Sequence, residues 1–174
     1  MVATYFYLGV LVAVTAAGQT LTTTQGLSIN LSPLAKIVST PVTVALVSPG
    51  GAFTTFSGSG TVNLRIRTAP ASSGSLQVRI TSDFSPAGGP SAGSGDLTYT
   101  CTTGYGSACS GPIVAQTATQ TSVATYSASA CTGGGGTCSA ANPTSATITL
   151  TIADRPAYQT NTYNATITYS ISIL

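Results

Sequence analysis

The C-terminal end of the chain alternates strictly between apolar and polar residues. Between residues 163 and 173, apolar side chains such as Tyr163, Ile167, Tyr169 and Ile171 are separated by single Asn, Thr or Ser residues. Successive side chains of a β-strand point to opposite faces, so this period of two places the apolar set on one face of an antiparallel sheet. Residues 146–152 have the same pattern, and we predict that the two segments form a long hairpin.

The same alternation recurs upstream. Residues 62–66 and 76–80 alternate in the same way and predict a second hairpin. Further strands are expected near residues 27–31, with 27–38 as the longer alternative, and near residues 42–47, 97–101 and 122–127. The long loops at residues 82–95, 102–120 and 129–144 are rich in Gly, Pro and Ser. About eight or nine strands with such loops predict an all-β fold, an antiparallel two-sheet Ig-like β-sandwich.

The composition excludes most enzymatic chemistry. Only 5% of the 174 residues are charged, Glu and His are both absent, and Ser and Thr together make up 53 residues. A chain without His or Glu lacks the usual general acid/base pair, His-based nucleophilic triads and His-containing zinc sites. Five scattered basic residues do not form a nucleic-acid footprint. We therefore expect no enzyme, no cofactor, no metal site and no nucleic-acid partner.

The N-terminus predicts export. Residues 5–17 form an apolar run that is too short for a membrane-spanning helix of about 20 residues but suits the central region of a secretory signal. Small residues follow, so we predict a signal peptide at residues 1–18 and a single mature domain at residues 19–174. The first four residues carry no Lys or Arg, which leaves a retained apolar strand or anchor as the alternative. The expected location is outside the cell or on its surface, without a stable membrane span.

Four cysteines fit an oxidising compartment. Cys101 and Cys109 flank one Gly-containing loop, and Cys131 and Cys138 flank another. The spacing lacks the C-x-x-C pairs and the His ligands of common zinc sites. We predict two structural disulfides with sequential pairing, Cys101 to Cys109 and Cys131 to Cys138.

The three acidic residues have structural and functional interpretations. Asp83 and Asp96 flank a loop and would suit a calcium site only with additional oxygen ligands, so we interpret them as turn-forming residues. Asp154 and Arg155 form an adjacent pair of opposite charge before Pro156, and we interpret them as a turn with recognition of a partner as the alternative.

Three arginines share one predicted face. If residues 62–66 and 76–80 form a hairpin, then Arg65, Arg67 and Arg79 lie together on the side opposite the apolar residues. Such a stripe would suit an anionic partner, for example a surface polysaccharide. The alternative is a solubilising surface that prevents edge-to-edge pairing.

The last strand carries a family resemblance. Its sequence Tyr163-Asn164-Ala165-Thr166-Ile167-Thr168-Tyr169-Ser170-Ile171-Ser172 resembles the closing strand of secreted bacterial β-sandwiches such as the spore coat protein U and pilin-like families. The resemblance implies export, a sandwich fold, and assembly or surface display. It implies no catalytic residue, and the Gly-rich cysteine loops depart from those families.

These features favour a structural function. We predict a subunit of a cell-surface fibre, pilus or matrix that self-associates by β-strand addition. The donor segment is residues 21–38, in which Leu27, Ile29 and Leu31 alternate with polar residues. Pro33 interrupts this segment, as is typical of an edge strand. One alternative is that the segment pairs within its own sheet as the first strand. The alternative function is a secreted module that binds a glycan or another surface ligand.

Overall fold

Nine strands make up the regular structure in the described part of this chain. The computed structural model describes residues 25–69, 71–127 and 144–173, and these ranges contain no helix. The chain divides into two units after Asn30, and every strand belongs to the second unit. The strands are β1 (Leu34–Ser39), β2 (Phe56–Arg67), β3 (Ser73–Ser85), β4 (Leu97–Thr103), β5 (Ser107–Ala108), β6 (Ile113–Val114), β7 (Thr121–Ser127), β8 (Thr144–Ile152) and β9 (Asn164–Ile173).

The strands form two antiparallel sheets. Sheet A has the order β1-β2-β8-β4-β6, and sheet B has the order β5-β7-β3-β9. The prediction of an all-β fold with two antiparallel sheets is therefore confirmed. Thr and Ile make up six of the nine residues of β8 and five of the ten residues of β9, and such β-branched side chains pack well on a pleated surface.

Both predicted hairpins are wrong. β8 lies between β2 and β4 in sheet A, whereas β9 pairs with β3 in sheet B. Likewise β2 belongs to sheet A and β3 to sheet B, so each of the two connections crosses from one sheet to the other. Alternation fixes which residues face inward, but it does not select the strand with which they pair.

The core is the apolar layer between the two sheets. Leu64 on β2 and Leu76 on β3 are fully buried, as the alternation predicts. Burial of each such side chain contributes about 1.5–3 kcal/mol. The remaining buried apolar residues are Val62, Val78, Ile80, Ala92, Leu97, Tyr99, Ala115, Val123, Ala124, Tyr126, Ala146, Ile148, Leu150 and Ile152.

A buried tyrosine connects the sheets. The hydroxyl of Tyr99, on β4 of sheet A, lies 2.7 Å from Thr121 Oγ1 and 2.9 Å from the carbonyl oxygen of Ser122, both on β7 of sheet B. Burial raises the pKa of Tyr99, and the hydrogen bond to Thr121 acts in the opposite direction. The hydroxyl is neutral and satisfied, as a buried polar group must be.

One predicted strand starts later than expected and another is absent: the strand expected from residue 27 begins only at Leu34, as β1. Residues 25–33 have no regular structure, and residues 42–47 contribute only one bridge, between Val47 and Ser57. The second segment instead packs against the inward side of β2. A Cβ at Gly60 would lie 2.8 Å from Pro41 Cγ and 2.9 Å from Val44 Cγ2, so only glycine permits this close approach.

Candidate functional site

The strand β9 forms one edge of sheet B. Among the residues that the structure describes, it pairs only with β3, and the register is continuous from Ile173 opposite Gly74 to Ile167 opposite Ile80. The ten residues of β9 include no charge and no proline. Soluble proteins commonly protect their edge strands with charges, prolines, bulges or a short length. The seven residues in continuous register lack all of these features.

The inward-facing side chains of β9 are less buried than those of the neighbouring strand β3. Ala165, Ile167, Tyr169 and Ile171 pack against the core but are only half-buried, whereas Val78 on β3 is 2% exposed. The burial that Tyr169 does achieve raises its pKa. An additional strand beside β9 would therefore bury apolar surface as well as satisfy main-chain groups.

Near the opposite edge of the sandwich, a disulfide links the two sheets. Cys101 lies on β4 of sheet A, and Cys109 directly follows β5 of sheet B, with a Cα separation of 5.5 Å. The predicted Cys101 to Cys109 bridge is confirmed. The predicted Cys131 to Cys138 bridge lies outside the described residues, as does the predicted signal peptide at residues 1–18.

The predicted donor residues are exposed. Leu27, Ile29 and Leu31 have exposed fractions of 91%, 82% and 59%. Residues 25–33 form no strand, whereas β1 begins at Leu34 and pairs with β2 as the first strand of sheet A. Among the described residues, the alternative that residues 21–38 pair within their own sheet therefore holds only from Leu34 onward, and Leu27, Ile29 and Leu31 are not part of that strand. Pro33 lacks an N–H and stands immediately before β1, which explains why the pairing starts at the next residue.

Asp83, near the end of β3, binds the loop that leads to β4. Asp83 accepts hydrogen bonds from Ser91 Oγ at 2.7 Å, from the Ala92 amide at 2.7 Å, and from the Phe84 and Gly93 amides. Burial acts to raise the pKa of Asp83, but these hydrogen bonds together hold the pKa below its ordinary value. This carboxylate is saturated by donors, in agreement with its interpretation as a turn-forming residue.

Asp96 and Arg155 connect two loops. Arg155 Nη2 lies 2.8 Å from Asp96 Oδ1, and the other carboxylate oxygen of Asp96 accepts a hydrogen bond from the Ser91 amide. The predicted turn at residues 154–156 also forms, since the Tyr158 amide donates to the Arg155 carbonyl oxygen. The pairing of Arg155 with Asp96 was not visible in the sequence because 59 residues separate them. The described residues contain no cluster of three His, Cys, Asp or Glu side chains suited to a metal ion.

The predicted arginine stripe does not form. Arg65 and Arg67 lie on β2 of sheet A, and Arg79 lies on β3 of sheet B, so their outward faces point away from each other. The prediction is wrong because it depended on the hairpin between β2 and β3. The structure instead brings Lys36 of β1 directly opposite Arg65. No sequence signal relates Lys36 to Arg65, because the pairing of β1 with β2 spans an irregular segment.

Two comparisons with known proteins were negative. Neither a protein-family model nor a curated protein matches this chain. In the part of the chain that the structure describes, no helix is long and apolar enough to cross a membrane.

Proposed function

We propose that this chain is a non-enzymatic, exported structural protein, a subunit of a cell-surface fibre or extracellular matrix that assembles through β-strand addition. The observation that carries the proposal is β9, an uncharged ten-residue strand at the edge of sheet B. Such an edge is a template for an additional strand from another molecule.

The main-chain groups of β9 supply part of the driving force. Every second residue of an edge strand directs both its N–H and its C=O to the open side, so the regular part of β9 offers roughly six to eight hydrogen bonds. At about 1 kcal/mol each, these bonds contribute roughly 6–8 kcal/mol. Association of two molecules costs an estimated 4–15 kcal/mol, so the hydrogen bonds alone do not ensure assembly.

Burial of apolar side chains of the donor segment adds to the free energy of association. Leu27, Ile29 and Leu31 alternate along the chain and are largely exposed. Full burial of three such side chains contributes up to about 5–9 kcal/mol. Together with the hydrogen bonds, this contribution exceeds the lower estimates of the association cost, which supports addition of residues 25–31 to β9 of a second copy.

Export and the absence of catalysis are supported by the composition and by the cysteines. A disulfide between Cys101 and Cys109 is typical of oxidising compartments. The sequence has no His and no Glu, and the carboxylates of Asp83 and Asp96 are engaged in loop structure. This set of side chains suits a structural role better than acid/base chemistry.

The test compares two sets of exposed apolar residues. The triple variant L27S/I29S/L31S removes the proposed donor side chains, and V42S/V47S removes apolar residues that are 99% and 63% exposed elsewhere. Because all of these side chains are largely exposed, neither variant should change stability by more than about 0.5 kcal/mol per residue. Light scattering and negative-stain electron microscopy on the purified protein should show filaments for the wild type and for V42S/V47S only.

Two results would contradict the proposal. One is a wild-type protein that stays monomeric at high concentration. The other is filament formation by L27S/I29S/L31S to the same extent as by the wild type.

A further inference from the structure

The outer face of sheet A carries three cations at one end. Lys36 on β1 is paired directly with Arg65 on β2, and Arg67 lies two residues farther along β2 on the same face. We name these three residues the basic corner. They are three of the five basic residues in the chain.

No acidic side chain accompanies the basic corner. Asp96 directly precedes Leu97, the first residue of β4. Leu97 and Phe56, the first residue of β2, both pair with Ile152, so Asp96 lies at the end of sheet A where β2 begins. Arg65 lies nine residues beyond Phe56 on β2. At about 3.3 Å per residue, the two ends of the sheet are separated by about 30 Å, well beyond the Debye length at physiological salt of about 8 Å.

The other two acidic residues are near Asp96. Asp154 follows the end of β8 at Ile152, and Asp83 contacts the same Ser91 that Asp96 contacts. In the described residues the one ion pair is that of Asp96 with Arg155. The positive charge of the basic corner is therefore not neutralised within the described structure.

The arrangement of the basic corner opposes folding rather than supporting it. Like charges that face each other directly across two strands are destabilising. In addition, Arg65 Nε is buried and has no hydrogen-bond partner among the described residues, which has a free-energy cost. Arg67 is held in place, since its Nε donates to the Ser32 carbonyl oxygen at 2.8 Å. An anionic ligand on the outer face would relieve the repulsion between the like charges.

Hydroxyl groups make up the central part of this face, whereas the exposed side chains of Leu34 on β1 and Val114 on β6 are apolar. Three successive rows across β2, β8 and β4 carry a Ser or Thr at every outward position, and we name these nine residues the hydroxyl field. The rows are Ser57, Thr151 and Thr98; Ser59, Thr149 and Thr100; and Thr61, Thr147 and Thr102. Neighbouring hydroxyls already bond each other, with 2.8 Å between the oxygens of Ser59 and Thr149 and 3.0 Å between those of Thr61 and Thr147.

We propose that the outer face of sheet A binds an anionic polysaccharide, with its carboxylate or sulfate groups on the basic corner and its sugar hydroxyls on the hydroxyl field. Hydroxyl groups both donate and accept, so a flat field of them suits a chain of polyhydroxylated rings. Arginine and lysine provide the donors that anionic groups need. This binding is a second activity beside self-assembly and does not depend on it.

The chemistry of the face favours a glycan over a nucleic acid. None of the outward residues of the hydroxyl field or the basic corner is aromatic. Single-stranded nucleic acids are held largely by stacking of their bases on aromatic side chains. The absence of such side chains from this face removes that contribution.

The first test uses immobilised alginate, a polymer of uronic acids, at low ionic strength. The double variant K36Q/R67Q removes two exposed cations and keeps the partly buried Arg65, so it should fold normally. R79Q is the matched control, because it removes one arginine from sheet B. We expect the wild type and R79Q to bind equally and K36Q/R67Q to bind roughly tenfold more weakly.

The second test separates a glycan from polyanions in general. T100V/T102V replaces two exposed hydroxyls of the hydroxyl field, and T166V/T168V replaces two exposed hydroxyls of sheet B. T100V/T102V should weaken alginate binding severalfold, whereas T166V/T168V should not. The proposal is overturned if the wild type does not bind alginate, if R79Q loses as much affinity as K36Q/R67Q, or if oligothymidylate binds as tightly as alginate and T100V/T102V weakens neither.

Discussion

Asp96 and Arg155 form an ion pair that joins the β3–β4 loop to the β8–β9 loop, with 2.8 Å between Oδ1 and Nη2. The two side chains differ in environment, since Asp96 is 7% exposed and Arg155 is 57% exposed. Tyr158 lies beside this ion pair. Burial of its hydroxyl and the neighbouring Asp96 carboxylate both raise the pKa of Tyr158. The buried carboxylate of Asp96 needs its hydrogen-bond and ion-pair partners to replace the water it has lost, whereas the exposed guanidinium of Arg155 remains hydrated.

Because the side chain of Asp96 is buried and that of Arg155 is exposed, we predict that their replacement lowers the free energy of unfolding by different amounts. Asp96→Ala removes the acceptor of the Ser91 amide and should lower the free energy of unfolding by about 1–3 kcal/mol. Arg155→Gln removes a largely hydrated charge and should cost about 1 kcal/mol or less. Urea denaturation measures both values, and Asp154→Asn is the control within the same turn. Equal costs for the Asp96 and Arg155 variants would contradict the assigned burial.

Asp83 predicts a loss of stability in acid. Its pKa in the folded protein is lowered, so the carboxylate contributes stability that is fully present above its unfolded pKa of about 4. That contribution is lost as the pH falls through the lowered folded pKa. Chemical denaturation between pH 6 and pH 2 should show this loss in the wild type and a flatter profile in Asp83→Asn. A profile unchanged by Asp83→Asn would show that other groups cause the acid sensitivity.

The Cys101–Cys109 disulfide predicts a measurable gain in stability. It closes a short loop with a sequence separation of 8. The chain-entropy relation gives about 2.5 kcal/mol for a loop of this length, equivalent to roughly 5–10 °C in Tm for a domain of this size. Thermal unfolding of C101S/C109S should show this decrease relative to the wild type. A decrease below about 2 °C would mean that β4 and β5 remain together without the bridge.

The proposed assembly predicts inhibition by a donor peptide. A synthetic peptide of residues 25–33 should pair with the open edge of β9 and stop filament growth, with a Kd on the order of micromolar. The matched control is the same peptide with Ser at positions 27, 29 and 31. Light scattering measures filament growth, and isothermal titration calorimetry measures binding to monomeric L27S/I29S/L31S. Equal inhibition by both peptides would contradict a contribution from the apolar side chains.

Local patterns predicted the features that depend on local geometry. The in-or-out orientation along β8 follows from a period of two, and the structure buries Ile148 and Leu150 as that period requires. The Cys101 to Cys109 bridge also followed from short spacing. The absence of a strand at residues 42–47 was not predictable, because it depends on the close approach of Pro41 and Val44 to Gly60, a residue distant in sequence.

The candidate functional surfaces could be predicted from the sequence only in part. The sequence by itself determined that β9 is long, alternating and uncharged, and that Leu27, Ile29 and Leu31 form an apolar series. Only the tertiary structure decided that β9 stands at an edge and that Lys36, not Arg79, accompanies Arg65. The physical reason is that alternation acts within one strand, whereas strand order follows from the packing of all strands around one core.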